Sequence, residues 1–236
     1  QYIENNALGT LNILEYARNN KILKFTYAAS SSCYGLAKKI PISEDCGIDI
    51  QHPYALSKYL GEQLVLHWNK VYKMKTDSIR IFNAYGLRSR TSGAYGAVLG
   101  VFLKQKIENK PLTVVGNGYQ TRDFINVKDL VEAFYRVQNS KKSGKIYNVG
   151  SGKEQSVNTL AKLISDKIIH IPKRPAEPDR SLAEIKKIKN LGWKPKINFK
   201  DGINEILKNI DYWLDAPLWD KKKIDKATKV WFKYFD

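Results

Sequence analysis

The sequence predicts an α/β protein in which a parallel sheet carries helices on its faces and a smaller α/β lobe follows. Three observations predict it. Helical and strand-like segments alternate through residues 1–90, the pattern of strands joined by helical crossovers. The strand segments are strongly apolar, as buried strands are. Beyond residue 90 the segments shorten, and loops rich in glycine and proline separate them. The chain has 236 residues, 43% of them hydrophobic, enough to bury a core in one large domain or one and a half.

In order, residues 3–18 read as a helix and ILKFTYAAS (22–30) as a buried strand. A loop leads to HPYALSK, where Pro53 suits a first helical turn and Tyr54, Leu56, Leu60, Leu64 and Val65 share one broad face, giving a helix over 53–72. DSIRIFNAYG (77–86) is the next strand. Then come LTVVG (112–116), a short strand at 124–127, a helix after Asp129, KIYNVG (145–150), a helix over SVNTLAKLISDKI (156–168) and IIHIP (168–172). Gly116-Asn117-Gly118, Gly150-Ser151-Gly152 and Pro172-Lys173-Arg174-Pro175 mark loops that suit a binding lobe.

Composition excludes several classes. No apolar run approaches the roughly 18–20 residues of a membrane span, and no charged-then-apolar leader opens the chain, so a cytoplasmic protein is expected. Cys33 and Cys46 lack paired spacing, and His52, His67 and His170 are scattered, so neither a disulfide framework nor a metal centre is expected. The net charge of +17 invites nucleic acid, but the basic residues are spread along the chain. The densest run is Lys221-Lys222-Lys223, with no aromatic-rich basic block. A solvated lysine-rich surface that attracts a small anionic substrate explains the charge better.

Tyr54 and Lys58 lie four apart, one turn above each other on the helix. An ammonium beside a phenol lowers a pKa that starts at about 10, making tyrosine an acid or base usable near neutrality. The spacing recurs at Tyr34 and Lys38, where Gly35 and Ile40-Pro41 make a loop. Spacing alone therefore leaves Tyr54 and Lys58 either a catalytic pair or two residues of a first helical turn. Placement adds to it: in open parallel sheets ligands bind beyond the carboxyl ends of the strands, where Ser30 and residues 82–86 lie. No strand followed by GxGxxG occurs, and Gln1 already sits at a helix edge, so further chain is expected ahead of it.

NNALGTLNILEYAR, YAASSSCYG, HPYALSKYLGEQ, RIFNAYG, GNGYQTRDFINVKDL, YNVGSG and SVNTLAKLI occur in this order over almost the whole chain. Together they resemble the extended short-chain dehydrogenase/reductase family of nucleotide-sugar epimerases and dehydratases, and most closely its UDP-glucose 4-epimerase-like members. The resemblance implies a Rossmann-type doubly wound parallel sheet whose first strands, with the glycine-rich turn, are absent here. Residues 1–90 would complete the NAD-binding domain, and 91–236 would form mainly the nucleotide-sugar lobe.

The resemblance also implies NAD as cofactor, touched by Asn5, Ser30, Tyr54, Lys58 and Phe82. Ser30, Tyr54 and Lys58 would be catalytic, with Tyr54 as base and Lys58 lowering its pKa. Asn83 would contact sugar or phosphate and Arg122 the diphosphate. Arg174 and Glu177, in KRPAEPDR, stand where the family usually reads RPGD, with Ala176 and Glu177 in place of Gly and Asp. Dehydratases of the family generally read Thr-Asp-Glu at Ser30-Ser31-Ser32, and decarboxylases place a glutamate at Ser32. The three hydroxyls therefore favour 4-epimerisation of a UDP-hexose. Another epimerisation or a dehydratase is the runner-up, and a non-catalytic interaction protein is the alternative of another class. Helices 3–18 and 53–72 resemble the pair that family members use for a homodimeric four-helix bundle.

Overall fold

The computed structural model describes residues 1–89, 91, 98–173 and 177–235. It opens with a π-helical turn, Glu4–Leu8, that runs into α1, Gly9–Asn19. β1 is Phe25–Ser30, shorter than the expected 22–30 because the chain first closes the helix, Ile22 N–H bonding to the Ala17 carbonyl at 2.9 Å. A 3₁₀ turn, Ser31–Tyr34, follows. α2 spans Pro53–Tyr72, with Pro53 at the start and Lys73 in the left-handed region at its end. Leu14 and Ala17 of α1 pack with Val65 and Trp68 of α2 and Tyr27 and Ala29 of β1.

The expected strand 77–86 divides. β2, Thr76–Ile81, pairs in parallel with β1. The Phe82 N–H turns to the Val149 carbonyl at 3.0 Å, and β3, Asn83–Tyr85, joins a different sheet. The second lobe adds α3 (Val98–Ile107), β4 (Leu112–Val115), β5 (Thr121–Asn126) and α4 (Val127–Gln138). β6 (Lys145–Val149), β7 (Glu154–Ser156), α5 (Val157–Ile164) and β8 (Ile168–Ile171) come next. The chain closes with α6 (Lys186–Lys189), α7 (Phe199–Lys208), a 3₁₀ turn (Ile210–Trp213) and α8 (Lys221–Phe235). Sheet orders are β1-β2-β6, β3-β5-β7 and β4-β8. All these pairings are parallel except β5 with β7.

Asn126, Ser156 and Asn198 each cap a following helix through a side-chain oxygen, so α4 begins before Asp129 and α5 begins one residue past Ser156. One core, with Ile79, Phe82, Tyr147 and Val149, lies around the first sheet. A second, with Phe102, Leu112, Leu160 and Ile203, fills the second lobe. Among the described residues, no helix is long and apolar enough to cross a membrane, and no group of three His, Cys, Asp or Glu could hold a metal ion.

Candidate active site

The end of β1 supplies the first wall. Ser30 is extended where the strand stops, and its Oγ accepts from the Ser32 N–H at 3.2 Å while donating to Ser32 Oγ at 3.0 Å. This tight turn presents hydroxyls toward the start of α2. Ser30 also works to favour the ionised form of Tyr54.

Tyr54 keeps 36% of its surface exposed. The edge of Tyr2 meets its ring at 5.6 Å and the face of His52 lies 6.1 Å away. Burial nonetheless dominates its titration and pushes its pKa above the usual phenol value, with Ser30 opposing. This departs from the expected lowering by Lys58. The Lys58 ammonium lies 4.6 Å above the Tyr27 ring, a cation–π contact, and burial depresses its own pKa. Among the described residues no carboxylate offsets that depression, so Lys58 is a half-buried cation with donor capacity left over. Such a group can donate to a hydroxyl-bearing ligand.

The backbone beneath the pair is fixed by a short chain of bonds. Asn6 Nδ2 donates to Ser57 Oγ at 3.0 Å, and Ser57 Oγ donates to the Tyr54 carbonyl at 2.8 Å. Asn5 is exposed on the π-helical turn, so its neighbour Asn6 is the asparagine that reaches α2. Phe82 is 4% exposed and packs against Tyr34 in the core. Asn83 opens β3, and its Nδ2 donates to the Asp123 carbonyl at 3.4 Å.

The remaining candidate residues belong to the second lobe. Arg122, on β5, donates through Nη1 to the Pro178 carbonyl at 2.8 Å and to the Thr121 carbonyl at 2.9 Å. Its Nη2 stands 3.9 Å from Glu177 Oε2. Burial lowers the Arg122 pKa, and Glu177 and Asp179 work against that. Arg174 lies outside the described residues. Glu177 also acts electrostatically on His52, which ties this loop to the start of α2.

Sequence reasoning does not single out three features. One is the buried Glu62–Arg80 pair, 2.6 Å apart, which Ser78, Tyr34 and the Glu44 carbonyl complete. The second is Tyr27 beneath Lys58. The third is His52, whose Nδ1 caps α2. A cap signal was available for His52, since it stands directly before a proline-initiated helix; the other two depend on tertiary contacts.

Residues 1–206 match the family model described as GDP-mannose 4,6 dehydratase. A putative UDP-glucose 4-epimerase of Methanocaldococcus jannaschii is 37% identical over 209 residues, covering 86% of this chain and 68% of that protein. The UDP-N-acetylglucosamine 4-epimerase of Methanobrevibacter ruminantium M1, solved with UDP-N-acetylmuramic acid, superposes with a TM-score of 0.83 at 26% identity, covering 90% of this chain and 69% of that one. A UDP-glucuronic acid 4-epimerase of Bacillus cereus, solved with UDP-glucuronic acid and NAD, gives 0.80 at 29% identity, covering 90% of this chain and 68% of that one. This chain therefore spans about two thirds of the length of these relatives. The parallel sheets, the ordered motifs and these likenesses agree, and the chain belongs to the extended short-chain dehydrogenase/reductase family, among its NAD-dependent nucleotide-sugar epimerases and dehydratases.

Proposed function

We propose that this chain carries the acid–base and substrate-binding residues of an NAD-dependent 4-epimerase acting on a UDP-hexose. The observation that carries the reading is the Ser30–Ser32 turn beside Tyr54. It offers hydroxyls where elimination of water from the sugar would need a carboxylic acid and a carboxylate. The 4-epimerase names of similar proteins support it.

Bound NAD would supply one chemistry, taking a hydride from the sugar carbon and returning it. Tyr54 would accept the proton of the 4-hydroxyl, leaving a 4-keto sugar, and give the proton back once the keto sugar has presented its other face. Ser30 would hydrogen-bond the same oxygen and hold it near the phenol. Lys58 would hold the cofactor ribose. Because burial favours neutral Tyr54, forming the phenolate depends on positive charge that arrives with the ligand or from a re-aimed Lys58. Across the cleft, Arg122 would bind the diphosphate, with Arg174 and Glu177 shaping the nucleotide end and Asn83 the sugar end. Residues 1–90 would thus hold the chemistry and 91–236 mainly the nucleotide sugar.

The test uses the protein completed by the expected upstream strands, supplies NAD and, in turn, UDP-glucose, UDP-galactose and their N-acetyl forms, and reads products by mass spectrometry after sugar separation. At least one pair should interconvert at unchanged mass. Tyr54→Phe should lower that turnover by about 10²- to 10⁴-fold, the usual worth of a general base. A product lighter by one water would move the assignment to dehydratase.

The exposed apolar residues Ile13 and Tyr16 of α1 and Leu56, Leu60 and Val71 of α2 support a homodimer in which the two helices meet their two-fold mates as a four-helix bundle. Light scattering that finds only monomer in the full-length protein would overturn this assembly.

A further inference from the structure

His52 stands two residues before Tyr54, at the N-cap of α2. Its Nδ1 accepts from the Ala55 N–H at 3.3 Å, so the neutral ring carries its proton on Nε2. Its plane lies within 11° of the Tyr54 ring, with centroids 6.1 Å apart, inside the range of offset stacking. One imidazole thus holds both the backbone that starts the helix and the phenol ring two residues along it.

Only the neutral imidazole can do this. A proton on Nδ1 would face the Ala55 N–H, donor against donor, and would place a positive charge at the positive end of the helix macrodipole. The usual caps, Ser, Thr, Asn and Asp, carry no group that titrates near neutrality. Among the described residues, the charged and titratable neighbours are Tyr54 on the same helix, Tyr2 against the Tyr54 ring, and Glu177, itself paired with Arg122, from the second lobe. Burial lowers the His52 pKa, and Glu177 works in the opposite direction.

We propose that His52 is a positioning residue for Tyr54, holding the phenol ring only while its imidazole is neutral, so that acid disarms the site by releasing the tyrosine. The inference rests on the reading of Tyr54 as the acid–base group. The sign follows from linkage. A histidine whose folded pKa lies below the unfolded value of about 6.5 contributes stability above that pH. The contribution is lost as pH falls toward and through the folded pKa.

The test uses the chain labelled with ¹³C at tyrosine Cζ and in the histidine rings, titrated from about pH 8 to about pH 5, where imidazole charges. Tyr54→Phe and His52→Asn identify the two signals by their loss. In the parent, the Tyr54 signal should move with the His52 midpoint. His52→Asn keeps a cap acceptor that does not titrate, and its Tyr54 signal should stay flat. In the epimerase assay, His52→Ala should lower kcat about tenfold with KM within about twofold, since small misplacements of a reacting group can cost up to about 10²-fold. A Tyr54 signal that ignores the His52 titration, or that moves equally in His52→Asn, overturns the proposal. If no version epimerises any sugar while the two signals stay coupled, the proposed activity falls and the His52–Tyr54 linkage stands.

Discussion

Two cations attend the same helix and have opposite surroundings. Arg80 reaches α2 from β2 and is 3% exposed. Its guanidinium donates to both Glu62 oxygens, to the Tyr34 hydroxyl and to the Glu44 carbonyl. Lys58, one turn before Glu62, meets the face of Tyr27 and, among the described residues, has no carboxylate acting on it. Arg80 has its donors answered from within the protein and therefore fixes architecture. Lys58 keeps donors unspent, which is how a side chain is left available to a ligand.

The sharpest way to break that contrast is to remove Glu62. Glu62→Ala strands a buried guanidinium and should cost about 3–5 kcal/mol of stability by urea denaturation. Glu62→Ala with Arg80→Met should recover part of the loss, because the unpaired charge causes most of it. A single variant as stable as the parent would show that Arg80 is not structural. A smaller effect is expected at Lys58. Lys58→Met should leave stability within about 0.5 kcal/mol of the parent. In a protein completed by the expected upstream strands and glycine-rich turn, it should abolish most of the thermal stabilisation that NAD gives, a loss of about 1.5–3 kcal/mol for hydrogen bonds from a charged donor. Equal stabilisation of both proteins by NAD would remove the distinction between the cations.

The same contrast separates what was legible in the sequence from what was not. α2 was readable to its ends because Pro53 starts it and one apolar face runs its length. The positions of Ser30, Tyr54 and Lys58 were readable because strand ends and a helix start are local signals, while their catalytic roles rest on the family resemblance. β2 reads as a strand but conceals its role: Thr76, Asp77, Ser78 and Arg80 are all buried polar residues, and only the fold supplies their partners. Tyr34 has the same spacing to Lys38 as Tyr54 to Lys58, yet it is buried, bonded to Asn148 and Arg80, and pushed far up in pKa by burial. α3 gave little signal because Leu99 through Gln105 are all buried, which leaves no polar face to set a period. Of the adjacent Asn5 and Asn6, the winding of the π-helical turn decides which one reaches Ser57.

Phe82 also acts as a covalent ruler. Ile81 lies in register with Ser30 on the first sheet, and Asn83 lies in register with Phe124 on the second. Only one residue separates these strands, so the Ile81 and Asn83 Cα atoms can be no more than about 7.2 Å apart, however the sheets tilt. Adding one strand spacing of about 4.8 Å caps the reach from Ser30 to Asn83 at about 12 Å. The spacing between the end of β1 and the start of β3 is therefore written into bond lengths. Repacking either core would soften the protein before it widened that gap.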